Sequence, residues 1–234
     1  MSIVCVISAR GGSAGVKNKN IRIINGKPLI VWSIEHALLT PEIDEVFVST
    51  DSSKIKKIAL KHGAKVPFKR PKYLSNSTAP KFKVWKHALR EIEKLVPDIE
   101  CYVDLDCTNP LRDISDITAA ICQYKSNKDK LDVVFSVCEA RKNPYFNLVE
   151  RNKSGYLRVS KPLKKRIIRR QDCPEVLEHV ASIYVMSPEF IKSKNNLDEG
   201  RSEGYKIDYE KSFDIDSELD FKIVSFLLSE KKDG

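Results

Sequence analysis

The chain has 234 residues, and 41 Lys and Arg against 32 Asp and Glu give it a net charge of +9. Hydrophobic residues make up 41% and charged residues 31%, enough for one substantial core and too apolar for a disordered, collagen-like or mucin-like chain. The longest apolar runs, such as IVCVI from residue 3, are only strand length, so no membrane span is expected.

The opening MSIVCVISARGG has no basic lead, long apolar segment and small-residue cleavage site, which predicts a protein that stays in the cytoplasm. The six cysteines are irregularly spaced with no CxxC pair, so reduced thiols are expected and a structural zinc site is not. The positive charge suits an anionic partner. Most lysines are scattered over amphipathic segments and read as solvated surface. The dense run KPLKKRIIRR at 161–170 is not by itself a nucleic-acid patch, and neither nucleic acid nor membrane is expected as a partner.

In chain order, IVCVIS (3–8) predicts a buried strand that runs into a glycine-rich turn. Pro28 suits the first position of a helix reaching Leu39. EVFVST (45–50) predicts the next strand, with Asp51, Ser52 or Ser53 capping a helix to Lys61. AKVPF (64–68) reads as a short strand, followed by a helix over 81–95 and a strand at CYVDL (101–105). Ile114, Ile117, Ile121 and Tyr124 recur at helical spacing, marking an amphipathic helix against a sheet. DVVFSV (132–137) predicts a fifth strand. The charged, Asn- and Gly-containing segment 141–172 breaks this rhythm and reads as a protruding hairpin or small subdomain. ASIYVM (181–186), a short helix at 188–193, a strand at KSFDID (211–216) and a closing helix complete one domain over 1–234. The alternation predicts an α/β fold: an open, mostly parallel sheet with helices on both faces and ligands at the carboxyl ends of its strands.

Four segments carry candidate chemistry. SARGGSAGVKNKN (8–20) follows the first strand. Its glycines allow a sharp turn whose amides converge on phosphate, and Arg10, Lys17 and Lys19 add charge. The segment fits neither a Walker loop nor GxGxxG, and an ordinary strand–turn connection is the plain alternative. In DLDCTNPLR (104–112), Asp104 and Asp106 alternate with Leu105, so both project from one side of the extended chain. Thr108 and Asn109 can serve a ligand or a turn equally well. In SFDIDSELDF (212–221), Asp214 and Asp216 repel unless a cation sits between them, and Mg2+ with a phosphate oxygen is the natural tenant. Asp216 can alternatively cap the last helix. In IIRRQD (167–172), the arginines can clamp a carboxylate or phosphate, or form a bare basic loop. Of the four histidines, His179 alone lies near such a segment.

The segments ARGGS…KN, FKRPKYL, CTNPLR, RRQD, ASIYV and FDID occur in the order seen in the acylneuraminate cytidylyltransferases. The chain resembles the bacterial CMP-nonulosonate synthetases of that family along essentially its whole length. The resemblance implies an enzyme that joins CTP to the anomeric hydroxyl of a nonulosonic acid, such as sialic or legionaminic acid, releasing pyrophosphate. It further implies that Arg10, Gly11, Gly12, Ser13, Lys19 and Asn20 hold the triphosphate and nucleotide, with Arg70, Thr108 and Asn109 as further nucleotide-side residues. Asp106, Arg170, Gln171 and His179 fall on the sugar side. Asp214 and Asp216 match the aspartates that hold Mg2+, and with Arg10 and Lys19 they make the implied catalytic set. The resemblance implies a homodimer, with 141–172 as its exchanged dimerisation element.

The departures are informative. The family commonly shows LQPTSPLR where this chain has LDCTNPLR, which puts Asp106 in place of a glutamine. His179 replaces an asparagine, Ala14 a frequent lysine and Ser8 a frequent proline. Asp106 and His179 together suggest a substrate that differs from ordinary sialic acid in its amino or acyl groups, with legionaminic acid a fair candidate. The competing readings are a KDO-type cytidylyltransferase acting on an eight-carbon 2-keto acid and a non-catalytic nucleotide-binding protein.

Overall fold

The computed structural model describes residues 1–13, 15–165 and 167–231. Ala14 and Arg166, both within segments singled out above, lie outside the described residues.

Strand β1 (Ser2–Ser8) leads into the glycine-rich segment, and a tight hairpin of β2 (Ile23–Ile24) and β3 (Lys27–Pro28) follows. Asn25 and Gly26 both take positive φ, 46° and 90°, the backbone that a two-residue hairpin turn demands. Helix α1 (Leu29–Leu39), β4 (Glu45–Ser49) and α2 (Ser53–Lys61) come next. Ser52 caps α2, its side chain accepting a hydrogen bond from the amide of Ile55. Then follow α3 (Lys81–Ile92), β5 (Ile99–Leu105), α4 (Ile114–Ser126) and β6 (Val133–Glu139). A separate two-stranded hairpin, β7 (Val149–Arg151) with β8 (Leu157–Val159), occupies the segment before β9 (Leu177–Met186). Helix α5 (Pro188–Ser193), β10 (Ser202–Lys206) and α6 (Glu218–Glu230) complete the order.

The main sheet runs β10-β6-β9-β5-β1-β4. β1 pairs in parallel with both β4 and β5, β10 pairs in parallel with β6, and β9 lies antiparallel between β5 and β6. The period-two alternation of β1 decides its packing. Ile3, Cys5 and Ile7 join a core with α1, α2 and α4 on one face, while Val4 and Val6 join one with α3 and α5 on the other. From β1 the chain first moves to β4 on one side, then crosses to β5 on the other. The carboxyl ends of β1 and β5 therefore flank the point where strand order reverses, the usual ligand position of such sheets.

Two expected strands are not strands. The run 64–68 makes only a single bridge between Lys65 and Phe47. Residues Tyr209–Ser212 form a short 3-10 turn, and the FDID run after it has no regular structure. The edge strand is instead β10, whose sequence SEGYK carries one large apolar residue. It is held by close backbone approach: a β-carbon on Gly204 would lie 2.7 Å from Val137 Cγ2. β9 also begins four residues before Ala181, so that His179 lies on a strand paired with Val137.

A smaller cluster, with Val16, Ile24, Leu29, Trp32, Leu111, Ile215 and α6 residues Phe221, Val224 and Leu228, sits under the loops. It fastens the glycine-rich segment and the FDID segment to the same base.

Candidate active site

The carboxyl ends of β1 and β5 open into a cleft of about 320 Å³. Its lining includes Arg10, Ser13, Lys19 and Asn20 from the first loop, Arg70, Lys81 at the start of α3, Asp106 and Thr108 after β5, and Asp216. Segments 8–20, 104–112 and 212–221 therefore converge on one place.

In the first loop the Asn20 side chain donates to the carbonyl of Arg10 at 3.1 Å, closing the turn on itself. Lys19 Nζ bonds the carbonyl of Ile215 and lies 3.0 Å from Asp216 Oδ1, joining the glycine-rich loop to the FDID segment. Gly11 departs from its expected role: its amide donates to Asp51 Oδ1 at 2.8 Å. That carboxylate, from the end of β4, already satisfies the donor expected to meet phosphate. Ser13 and Gly15 line the cleft, whereas Gly11 and Gly12 do not. Arg70 is 4% exposed and donates from Nη2 to the carbonyl of Ser49 at 2.9 Å, while its Nε has no partner. An unpartnered buried guanidinium nitrogen is costly, so Arg70 is a donor poised at the cleft wall.

After β5, Asp104 and Asp106 do lie on one side, and what joins them is Lys81. Its Nζ is 3.0 Å from Asp104 Oδ2 and 3.0 Å from Asp106 Oδ2. It also stands 4.3 Å from the centroid of the Tyr184 ring, within cation–π range. Asp106 Oδ1 accepts from the amide and hydroxyl of Thr108 at 3.1 and 3.0 Å. Burial pushes the Asp106 carboxyl up, but Lys81 and the Thr108 bonds outweigh it and hold the carboxyl at about 2. Asp104 is displaced the other way, raised by burial and by the charge of Asp106 against the pull of Lys81.

Asn109 is corrected by the structure. It is fully buried, donates from Nδ2 to the carbonyls of Lys211 and Phe213 at 2.8 and 3.1 Å, and accepts from the Ser182 hydroxyl at 2.9 Å. Buried and outside the cleft lining, it ties the β5 loop to the FDID segment. The amide of Ile215 adds a bond to the carbonyl of Thr108 at 2.9 Å. Beneath this loop lies Arg112, 1% exposed, which donates to Ser182 Oγ and Ser33 Oγ at 3.0 and 3.2 Å and to the carbonyls of Asp106 and Asn109. The sequence offered Arg112 only as the end of CTNPLR.

Asp216 is exposed and Asp214 half-buried behind it. The Asp214 carboxyl is pushed up by burial, then by Asp216 and Asp106, with Lys19 acting against them. Asp216 is not the cap of α6; Ser217 is, accepting from the amide of Asp220 at 3.2 Å. Among the described residues, no group of three His, Cys, Asp or Glu side chains could hold a metal ion. Crowded carboxylates short of a full ligand set fit a hard cation that keeps water and takes phosphate oxygens from its substrate.

Arg170 and Gln171 fall elsewhere. They line a second cavity of about 540 Å³ with Glu139, Asn143 and Lys206, and Arg170 Nη2 donates to the carbonyl of Ala140 at 2.8 Å. Within one chain they do not line the first cleft. His179 is exposed at the edge of β9, with its ring 4.7 Å from Phe135 and 5.5 Å from Tyr184. Burial of its ring, then the charge of Lys81, lowers its pKa. Tyr184 thus separates His179 from Lys81, and His179 does not line the cleft.

A cytidylyltransferase family profile matches residues 4–231. The chain belongs to the cytidylyltransferase family. This cytidylyltransferase is 41% identical over 231 residues to post-translational flagellin modification protein B of Campylobacter coli, an alignment covering 98% of this chain and 96% of that protein. It is 40% identical over 231 residues to CMP-N,N'-diacetyllegionaminic acid synthase of Campylobacter jejuni, with the same coverage. In fold it is similar to a CMP:2-keto-3-deoxy-manno-octonic acid synthetase solved with CTP, at a TM-score of 0.73 and 18% identity over 99% of this chain and all of that one. The mixed sheet with helices on both faces is thus a Rossmann-like nucleotidyltransferase fold.

Proposed function

We propose that this cytidylyltransferase joins CTP to a nonulosonic acid of the legionaminic type, forming the CMP-sugar and releasing pyrophosphate. The observation that carries this reading is the convergence of Arg10, Lys19, Asp106 and Asp216 on one cleft, in a chain 40% identical over nearly its whole length to a CMP-N,N'-diacetyllegionaminic acid synthase. The similarity to the octonic acid synthetase stands at 18% and supports the fold without favouring an eight-carbon substrate.

The chemistry asks the protein to align two anions and to stabilise charge that develops as the anomeric hydroxyl attacks the α-phosphorus. Arg10 and Lys19 supply positive charge at the phosphate end of the cleft. Lys19 exchanges its bond to Asp216 for one to the leaving pyrophosphate, which frees that carboxylate. Asp214 and Asp216 would hold Mg2+, which when bound would neutralise phosphate charge and lower the pKa of the attacking hydroxyl. Ser13, Asn20, Arg70 and Thr108 orient the nucleotide, and Asp106 borders the sugar acid.

The protein acts as a homodimer, with the insertion at 141–172 as the contact. That segment exposes Leu148, Val149, Leu157, Leu163 and Ile168, apolar side chains that a second copy would cover. Arg170 and Gln171 then serve the sugar side of the partner's cleft, in keeping with their distance from their own.

The test is pyrophosphate release with CTP and Mg2+ against N,N'-diacetyllegionaminate, N-acetylneuraminate, pseudaminate and KDO, with a chelator control. Preference for the diacetylated acid and loss of rate with chelator are expected. Activity with KDO alone overturns the substrate class. Light scattering of the protein and of Ile168→Asp checks the dimer.

A further inference from the structure

The cation between the two β5 carboxylates has no role in the reading above, and its geometry defines one. Lys81 Nζ donates to Asp106 Oδ2 at 3.0 Å, and Asp104 Oδ2 at 3.0 Å and the Tyr184 ring centroid at 4.3 Å also stand around it, so the ammonium is committed to these groups before any ligand arrives. Asp106 has the opposite balance. A carboxylate has about four acceptor positions, and Thr108 N, Thr108 Oγ1 and Lys81 Nζ take three of them. One position on Oδ2 stays open, on a side chain that lines the cleft.

Charge matters as much as the open position. The sugar substrate is itself an acid, and a bare carboxylate in the wall would repel it. Lys81, 3.0 Å from both carboxylates, offsets the charge of Asp106 while leaving its acceptor in place, since burial favours the neutral form of Asp104. Asp104, 1% exposed, anchors the ammonium from below, and Lys81 rests on a ring held edge-on to Trp85 at 5.3 Å. Arg10, Ser13 and Lys19 claim the rest of the cleft for phosphate.

We propose that Lys81 is a specificity-determining positioning residue, holding Asp106 as a charge-compensated acceptor for an N–H or O–H donor on the sugar acid. This rests on the nonulosonate reading of the cleft. The Asp106 carboxylate offers an acceptor and no donor, unlike a glutamine, which offers both. It therefore favours a substrate that presents a donor here and disfavours one that presents only a carbonyl or ether oxygen.

The experiment is steady-state kinetics of the full-length enzyme, varying sugar acid at saturating CTP and the reverse. Lys81→Met is expected to raise KM for the sugar acid at least tenfold with KM for CTP within threefold. Lys81→Arg should retain much of the wild-type value. Lys81→Met/Asp106→Asn should recover part of the loss, because the uncompensated charge of Asp106 is then gone from the cleft wall, with Asp104 left buried behind it. Equal shifts in both KM values, or a double variant worse than the single, overturn the proposal and leave Lys81 a structural role. Should Lys81→Met not fold, Lys81→Arg and Asp106→Asn carry the test through substrate discrimination. Discrimination between an acylamino acid and its hydroxyl counterpart that collapses in Asp106→Asn identifies an N–H donor. Collapse between a hydroxyl acid and its deoxy counterpart identifies an O–H donor. Discrimination unchanged in both pairs overturns the proposal. A wild-type enzyme silent toward every nonulosonic acid overturns the substrate reading instead, a result distinct from any of these.

Discussion

Gly15 packs so closely against Asp216 that a β-carbon on it would sit 2.0 Å from the Asp216 carbonyl oxygen. The contact joins the glycine-rich loop to the FDID segment at the mouth of the cleft, beside the bond from Lys19 to Ile215. Glycine is required here for the approach, and no side chain adjusts, because the obstacle is backbone. Gly15→Ala should push the two loops apart. A loss of about 1–3 kcal/mol is expected from forced repacking, with kcat/KM for CTP down at least tenfold. Thermal unfolding and CTP kinetics on the same preparation check both, and an alanine variant with wild-type kinetics would show that the loops need not touch.

Asn109 discriminates two readings of the same residue. As a nucleotide contact, its loss would raise KM for CTP and leave stability alone. As the tether seen here, Asn109→Ala strands the carbonyls of Lys211 and Phe213 and the hydroxyl of Ser182. The expected cost is about 3 kcal/mol, from buried polar groups left without partners. Denaturant unfolding measures it. The activity loss should track the freed FDID segment, falling on kcat as well as on KM.

The limits of the sequence show in these side chains. The alternation in Asp104-Leu105-Asp106 correctly put both carboxylates on one side, because period two is a property of any extended strand. Lys81 gave no signal. It is one lysine among many, on an amphipathic helix more than twenty positions from its partners, and only the fold brings them together. Asn109 misled for the opposite reason, since an amide next to proline suits a ligand, a turn or a tether equally. The strand at 202–206 carries no sequence signal because an exposed edge needs little apolar patterning, and the alternation of FDID mimics a strand that does not form. That alternation instead buries Ile215 under the loops and leaves Asp216 lining the cleft, with Asp214 half-buried.

Arg112 is a buried cation with no carboxylate at ion-pair distance among the described contacts, held by two hydroxyls and two carbonyls. Burial lowers its pKa to about 10, against the pull of Asp106 and other neighbours. The planar fork bonds four groups on three elements at once, a geometry that an ammonium cannot reproduce. Arg112→Lys should therefore destabilise by about 3 kcal/mol despite keeping the charge. Chemical denaturation checks it, and an unfolding midpoint equal to wild type would contradict the assignment of Arg112 as the base of the β5 loop.

His36 gives the fold a dependence on pH that is separable from catalysis. It lies on α1, edge-on to Trp32 at 6.4 Å, and its Nδ1 is buried without a partner. Burial, then the charges of Arg112 and Lys27, lowers its pKa to about 3, whereas an unfolded histidine titrates near 6.5. Between those values the unfolded chain binds a proton that the native state refuses. Stability conferred by His36 is therefore fully present above about pH 6.5 and is lost progressively as pH falls toward 3. The loss is expected to be of order 2–4 kcal/mol across that window. His36→Phe keeps a ring against Trp32 and removes the titration, so its unfolding free energy should fall less steeply between pH 6.5 and 4. Urea denaturation of the two proteins at several pH values measures the difference, and parallel curves would show that His36 takes up its proton in the native state as readily as in the unfolded one.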